Sequence, residues 1–185
     1  MHPDLERTAS EFTEAGARLH RLAETVDSSG WSRRPAAGGW SIDECVAHLI
    51  LTNERYIPVL VDAIDAAPVM SEPPAPLRQD LAGRLLRWMM EPPVRFKLPT
   101  SPPFQPPSSA GRSATLARFE AVQARLTDLI REMDGLDVSR VRIASPFNAR
   151  LRYSAYSALC IIVAHERRHL WQAERVRDAN RRAPG

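Results

Sequence analysis

The chain of 185 residues is long enough for one domain with a hydrophobic core, and 44% hydrophobic with 25% charged residues is typical of a soluble globular protein. Its longest apolar run, Ala158 to Ala164, is far shorter than the ~20 residues that cross a membrane. A net charge of +3 comes with C-terminal arginines that alternate with acidic residues, without a nucleic-acid-binding motif. We therefore expect one cytoplasmic domain, residues 1–185, that binds neither membranes nor nucleic acids.

Four long helices are predicted from apolar residues that recur every three or four positions. They cover about 3–26, 41–63, 113–134 and 154–179. The second has the best-defined start, because Ser41 and Glu44 have the spacing of a capping box. Pro58 is expected to kink this helix or to end its regular part. The pattern predicts an all-α fold, a four-helix bundle.

Between the second and third long helices, residues 65–108 hold eleven of the sixteen prolines. A short amphipathic helix is predicted from Leu77 to Met90, and the remainder is predicted to be loop or extended chain. We expect a long crossover that packs over one end of the domain and can cover a binding pocket. Between the third and fourth helices, residues 138–152 form a connection with weak extended character near Val141.

The last predicted helix carries His165 and His169, which lie one turn apart on the same helix face. This spacing suits two ligands of one metal ion. His165-Glu166-x-x-His169 also matches the zinc-protease pattern, in which Glu166 would be the general base. The extended zinc-protease pattern is absent, and only sixteen residues follow His169. A metallohydrolase is therefore the remote alternative, and Glu166 is expected to face solvent or a second-shell partner of the metal site.

Two stretches of the chain resemble the DinB-like superfamily. They are Trp40-Ser41-x-x-Glu44-x-x-x-His48 and His165-x-x-x-His169-x-x-Gln172. The resemblance implies a four-helix bundle in which His48, His165 and His169 bind a divalent metal, often zinc or nickel. It also implies relatedness to metal-dependent transferases that use low-molecular-weight thiols such as mycothiol or bacillithiol, and to isomerases. Relatives often pair, so we expect a homodimer.

The chemistry of the residues agrees with a metal site of this kind. Three imidazoles suit zinc, nickel or iron, and three protein ligands leave open positions for water or a small-molecule substrate. A metal there would lower the pKa of a bound thiol or water, or polarise a carbonyl. Thr52 and Tyr56, one and two turns after His48, are expected either to line the pocket or to pack in the core. A non-catalytic module for metal binding, small-molecule binding or dimerisation is the alternative to an enzyme.

Overall fold

The computed structural model describes residues 1–72, 74–93, 100, 102–106 and 111–182. The α-helices in these ranges are α1 (Pro3–Glu24), α2 (Ser28–Ser32), α3 (Ile42–Ala66), α4 (Leu81–Met90), α5 (Arg112–Glu132) and α6 (Ala155–Arg182). Two strands, β1 (Arg142–Ser145) and β2 (Asn148–Ser154), form a small sheet, and Pro102–Phe104 form a short 3-10 turn. The described chain is thus mostly helical, as predicted, with a small sheet in addition. Over the same ranges, no helix is both long and apolar enough to span a membrane.

The four long helices pack so that α3 contacts α5 and α6, and α1 contacts the same two helices. Their apolar stripes meet in one core, which includes Leu5, Phe12, Leu19, Leu49, Leu60, Phe119, Leu126, Leu159 and Val163. Cys45 and Cys160 are buried free thiols. Helix α3 continues through Pro58 to Ala66, so one of the two effects expected of this proline, an end of the helix, is wrong. Pro58 is exposed, where water can solvate the carbonyl that loses its helical partner.

The proline-rich segment between α3 and α5 carries α4, which lies against α6 and β2. Asp80 caps the start of α4 by accepting a hydrogen bond from the Gly83 amide, and it also accepts one from the Ser154 amide. Gly83 faces Ser157 of α6 at close range. The helix begins at Leu81, four residues after the predicted start, since Asp80 supplies the cap. Residues 73, 94–99, 101 and 107–108 of the predicted crossover lie outside the described residues.

A β-hairpin connects α5 to α6 where only weak extended character was predicted. Strands β1 and β2 pair antiparallel, with Ile143 opposite Tyr153. Both of these side chains are buried, so the hairpin packs one face against the helices. Strand β2 runs directly into α6, and the hairpin therefore fixes where that last helix starts.

The capping box at the start of α3 is present, as predicted. Ser41 accepts a hydrogen bond from the Glu44 amide at 3.2 Å, and Glu44 accepts one from the Ser41 amide at 2.8 Å. Ser41→Ala is expected to lower the free energy of unfolding by about 1 kcal/mol, because a buried helix amide loses its acceptor. Urea unfolding measures this loss. Ser10→Ala, in the exposed middle of α1, is the control and should change stability by less than about 0.5 kcal/mol; an equal loss in both variants would contradict the capping role.

Candidate metal centre

Three histidines from two helices meet beside the start of α3. His48 comes from α3, whereas His165 and His169 come from successive turns of α6. One ring nitrogen from each histidine lies within 4.8 Å of the others. His48 and His169 are 5% and 7% exposed, and His165 is half-buried. The structure therefore brings together the three side chains that the sequence nominated, and such a cluster could hold a metal ion.

The separation between the ring nitrogens of His48 and His165 fits a shared metal ion. His48 Nε2 lies 3.3 Å from His165 Nε2. Two imidazole nitrogens bound to one tetrahedral zinc at ~2.0–2.1 Å would be about 3.3 Å apart. His169 Nδ1 is buried and has no hydrogen-bond partner among the described residues. Since a buried polar atom without a partner costs free energy, the cluster is chemically suited to a cation supplied from outside the chain.

The crossover segment fixes the tautomer of His48. Its Nδ1 lies 2.7 Å from the backbone carbonyl oxygen of Phe104, in a short 3-10 turn over Pro102–Phe104. A carbonyl oxygen can only accept, so the Nδ1 carries the proton and the Nε2 lone pair faces His165. Metal-bound histidines are commonly oriented by a hydrogen bond of this kind. The crossover segment thus contributes a backbone group to the candidate metal centre.

The electrostatic environment keeps the three imidazoles neutral. Burial lowers the pKa of His48, opposed by its hydrogen bond to Phe104. The pKa values of His165 and His169 lie well below the ordinary value, chiefly through burial and secondarily through the neighbouring histidines and Arg168. Because neutral imidazole is the form that binds metals, this cluster is prepared for a cation at neutral pH.

A cavity of about 1040 Å³ opens onto the three histidines. Thr52 and Tyr56, the two residues named as pocket candidates, both line it. The Thr52 hydroxyl donates to the Leu49 carbonyl at 2.9 Å, and the Tyr56 hydroxyl lies 2.7 Å from that of Tyr153. Burial raises the pKa of Tyr56 well above its ordinary value, so this hydroxyl stays protonated at neutral pH.

Glu166 does not face solvent, which corrects one of the two orientations expected for it. The residue is 0% exposed and is not among the described residues that line the cavity. Asn53 of α3 donates to one carboxylate oxygen at 2.6 Å, and Gln123 of α5 donates to the other at 3.0 Å. Burial raises the pKa of Glu166 to about 7. Glu166 therefore joins three helices in the core behind the histidines.

Sequence reasoning missed several residues around the histidines. The ring of Trp40 lies 4.9 Å from that of His48 and 5.8 Å from that of His169. Phe104 and Phe147, with ring centroids 4.4 Å apart, come from the crossover and the hairpin and line the same cavity. Trp40 belongs to a motif quoted above, so its position next to Ser41 was a usable signal. The sequence around Phe104 and Phe147 carried no such signal, since only the folded crossover and hairpin place these two residues beside the histidines.

The fold and the site together define a mostly helical protein in which three histidines converge on one cavity and could hold a metal ion. Residues 11–173 match the family model of the DinB superfamily, and the chain belongs to that superfamily. The match spans all three histidines and confirms the family suggested by the two motifs. No curated protein gives a significant match to the chain. No solved structure does so either.

Proposed function

We propose that this protein is a metal-dependent transferase that uses a low-molecular-weight thiol. In this proposal α1, α3, α5 and α6 form a four-helix bundle, and His48, His165 and His169 hold one divalent metal, zinc or nickel. The observation that carries the proposal is the convergence of three neutral imidazoles at the wall of a cavity large enough for small molecules. Three protein ligands leave positions open for a ligand from the cavity side.

The residues of the chain supply binding, orientation and water exclusion. A divalent metal bound at three imidazoles would lower the pKa of a thiol or polarise a carbonyl. The hydrogen bond from His48 to Phe104 holds the imidazole in its metal-binding tautomer. Aromatic side chains, among them Trp40 and Phe147, surround the space beside the histidines and reduce its water content. In the proposed transfer, the thiol gives its proton to water, and its sulfur bonds to an electrophilic carbon of the second substrate. The bond from that carbon to the leaving group breaks in the same step, and the leaving group departs with the electron pair and takes up a proton from water.

Two alternatives use the same residues differently. A non-catalytic module for metal or small-molecule binding, or for dimerisation, would hold metal but show no thiol-dependent turnover. A His165-Glu166-x-x-His169 metallohydrolase would need Glu166 beside the attacking water, whereas Glu166 is held in the core by Asn53 and Gln123. The geometry therefore favours the transferase over the hydrolase. Assay of a thiol with an electrophilic acceptor distinguishes the transferase from the non-catalytic module. The homodimer also stays a proposal.

Metal analysis of the purified protein tests the ligand set directly. We expect about one zinc or nickel ion per chain after dialysis, and at least a tenfold lower content in His48→Ala and His169→Ala, because each variant removes one of three ligands. Inductively coupled plasma mass spectrometry measures the content. His20→Ala is the matched control, since His20 is an exposed histidine paired with Glu120 on the surface. Metal retention in the first two variants equal to that of the control would refute the proposal.

A further inference from the structure

The cavity beside the histidines is lined by cations and by no acidic side chain among the described residues. Arg168 and Arg175, both from α6, contribute the positive charges. A divalent metal at the three histidines would add two more positive charges to this cavity. A concave site that carries one sign of charge attracts ligands of the opposite sign. The charge of this cavity therefore selects for an anion.

Arg168 directly precedes His169 of the candidate metal centre on α6. It is 8% exposed, and burial lowers its pKa below the ordinary value for arginine. Its Nη1 donates to the Met89 carbonyl at the end of α4, 3.1 Å away, which holds the guanidinium in place. Because a guanidinium has five N–H donors in a rigid fork, one group can hold α4 and also bind a carboxylate in the cavity.

Arg175 lies further along α6, where its guanidinium carbon is 4.9 Å from the centre of the Trp171 ring. Both residues line the cavity, and Arg175 is exposed. Stacking on the indole orders the arginine while its charge stays in contact with solvent. An arginine in this position attracts anions towards the cavity, whereas the buried Arg168 can bind them inside it.

The remaining lining is largely apolar. Leu86 and Met90 come from α4, Phe104 from the crossover, and Phe147 and Leu151 from the hairpin. A fully hydrated anion such as phosphate would leave these side chains in contact with water, whereas an anion with an apolar body would cover them. The ligand that fits both the charge and the walls is an organic carboxylate with an aromatic or branched apolar body.

We propose that the cavity binds such a carboxylate and that Arg168 pairs with its carboxylate group. This inference rests on the proposed function, because it names the class of small molecule that the metal centre would act on. Arg168 is then a binding residue that sets specificity for anions. A hydrogen bond between an arginine and a carboxylate is among the stronger polar contacts in proteins, and it strengthens where water is excluded.

Isothermal titration calorimetry with 4-phenylbutyrate and its uncharged amide tests the proposal on the zinc-loaded protein. We expect the carboxylate to bind at least tenfold more tightly than the amide. Arg168→Gln should remove most of this difference while leaving the affinity for the amide within about twofold, and Arg168→Lys should retain part of it. Arg177→Gln is the matched control, because Arg177 lies on the same helix beside Asp178 and is not among the described lining residues.

Zinc content is measured for every variant, so that failure of the metal site and failure of the anion site are separate results. Equal binding of carboxylate and amide to the wild type would overturn the proposal, and so would a preference that survives in Arg168→Gln. Loss of both ligands in that variant would make Arg168 a structural residue and would also overturn it. If the preference depends on Arg168 but the protein binds no zinc, the anion site stands and the metal-dependent function fails.

Discussion

Glu166→Gln is expected to stabilise the metal-free protein by about 3 kcal/mol above pH 7. Burial raises the pKa of Glu166 from an ordinary value of 4.5 to about 7. At pH values above 7 the folded state must therefore hold a carboxylate that the core disfavours, and a change in pKa of this size costs about 3 kcal/mol. Glutamine has nearly the same shape and carries no charge, so the variant avoids this cost.

The hydrogen-bonding groups around Glu166 can accommodate the amide. Asn53 Nδ2 and Gln123 Nε2 donate to the two carboxylate oxygens, while Asn53 Oδ1 and Gln123 Oε1 are buried without a hydrogen-bond partner among the described residues. If the side-chain amide of Asn53 or Gln123 rotates by about 180°, its carbonyl oxygen can accept a hydrogen bond from the new side-chain amide at position 166. The substitution would thereby satisfy a buried acceptor that the wild-type protein leaves unpaired.

The difference in stability between Glu166→Gln and the wild type should depend on pH, and this dependence tests the prediction more directly than a measurement at one pH. A carboxyl whose folded-state pKa is raised contributes stability that is fully present below its unfolded pKa and is lost as the pH rises through the folded value. The advantage of Glu166→Gln should therefore be largest at pH 8 and shrink between pH 7 and 4.5. The buried histidines titrate in both proteins, so their contributions cancel in the difference.

Urea unfolding of both proteins in the presence of a chelator, at pH 8, 7, 6 and 5, gives this difference. Glu54→Gln is the control, because Glu54 forms a surface ion pair with Arg118 and its loss should change stability by less than about 1 kcal/mol at every pH. A Glu166→Gln protein that is less stable than the wild type at pH 8 would show that the ionised carboxylate stabilises the core.

Gly83→Ala is expected to destabilise the protein by about 3 kcal/mol through the packing of α4 on α6. A Cβ atom at position 83 would lie 2.2 Å from Ser157 Cβ and 2.3 Å from Ser157 Oγ. Because Ser157 Cβ is fixed to the backbone of α6, a rotamer change cannot relieve the overlap, and α4 must move away. Overpacking of this kind typically costs 1–3 kcal/mol. Leu86 and Met90 of the same helix line the cavity, so ligand binding should weaken as well.

Gly16→Ala is the matched control for this substitution. Gly16 lies within α1, and a Cβ there would meet nothing within 4 Å. Alanine should therefore stabilise the protein by about 0.5–1 kcal/mol through its higher helix propensity. Urea unfolding measures both variants. Adding Ser157→Gly to Gly83→Ala should recover part of the lost stability; strictly additive losses would mean that the two residues do not interact.

Local sequence patterns predicted the parts of the molecule that depend on short-range chemistry. The capping box of Ser41 and Glu44 determines where α3 starts, and the four-residue spacing of His165 and His169 places both on one face of α6. His48 was added through the family resemblance, since no spacing within one helix can relate it to residues more than a hundred positions later. The structure brings the three together because α3 and α6 pack side by side.

Features that depend on contacts between distant segments could not be predicted in this way. Glu166 was expected to face solvent or a second-shell partner of the metal site. Its actual partners, Asn53 and Gln123, lie on other helices, so no pattern within α6 indicates them. The hairpin was predicted only as weak extended character, since Ile143 and Tyr153 form a buried pair only when the strands meet. The hydrogen bond that His48 donates to the Phe104 carbonyl depends on the path of the crossover, which sequence periodicity does not describe.

One turn of α6 makes contacts in several directions. His165 and His169 face the candidate metal centre, and Glu166 accepts hydrogen bonds from α3 and α5. Arg167 pairs with Glu11 of α1 and with Glu91, the residue that follows α4, and Arg168 donates to the Met89 carbonyl of α4. Insertion or deletion of one residue there would rotate everything beyond it by ~100° and break these contacts together. A change in length in this part of α6 is therefore expected to cost more than the replacement of one side chain, which removes the contacts of that side chain alone.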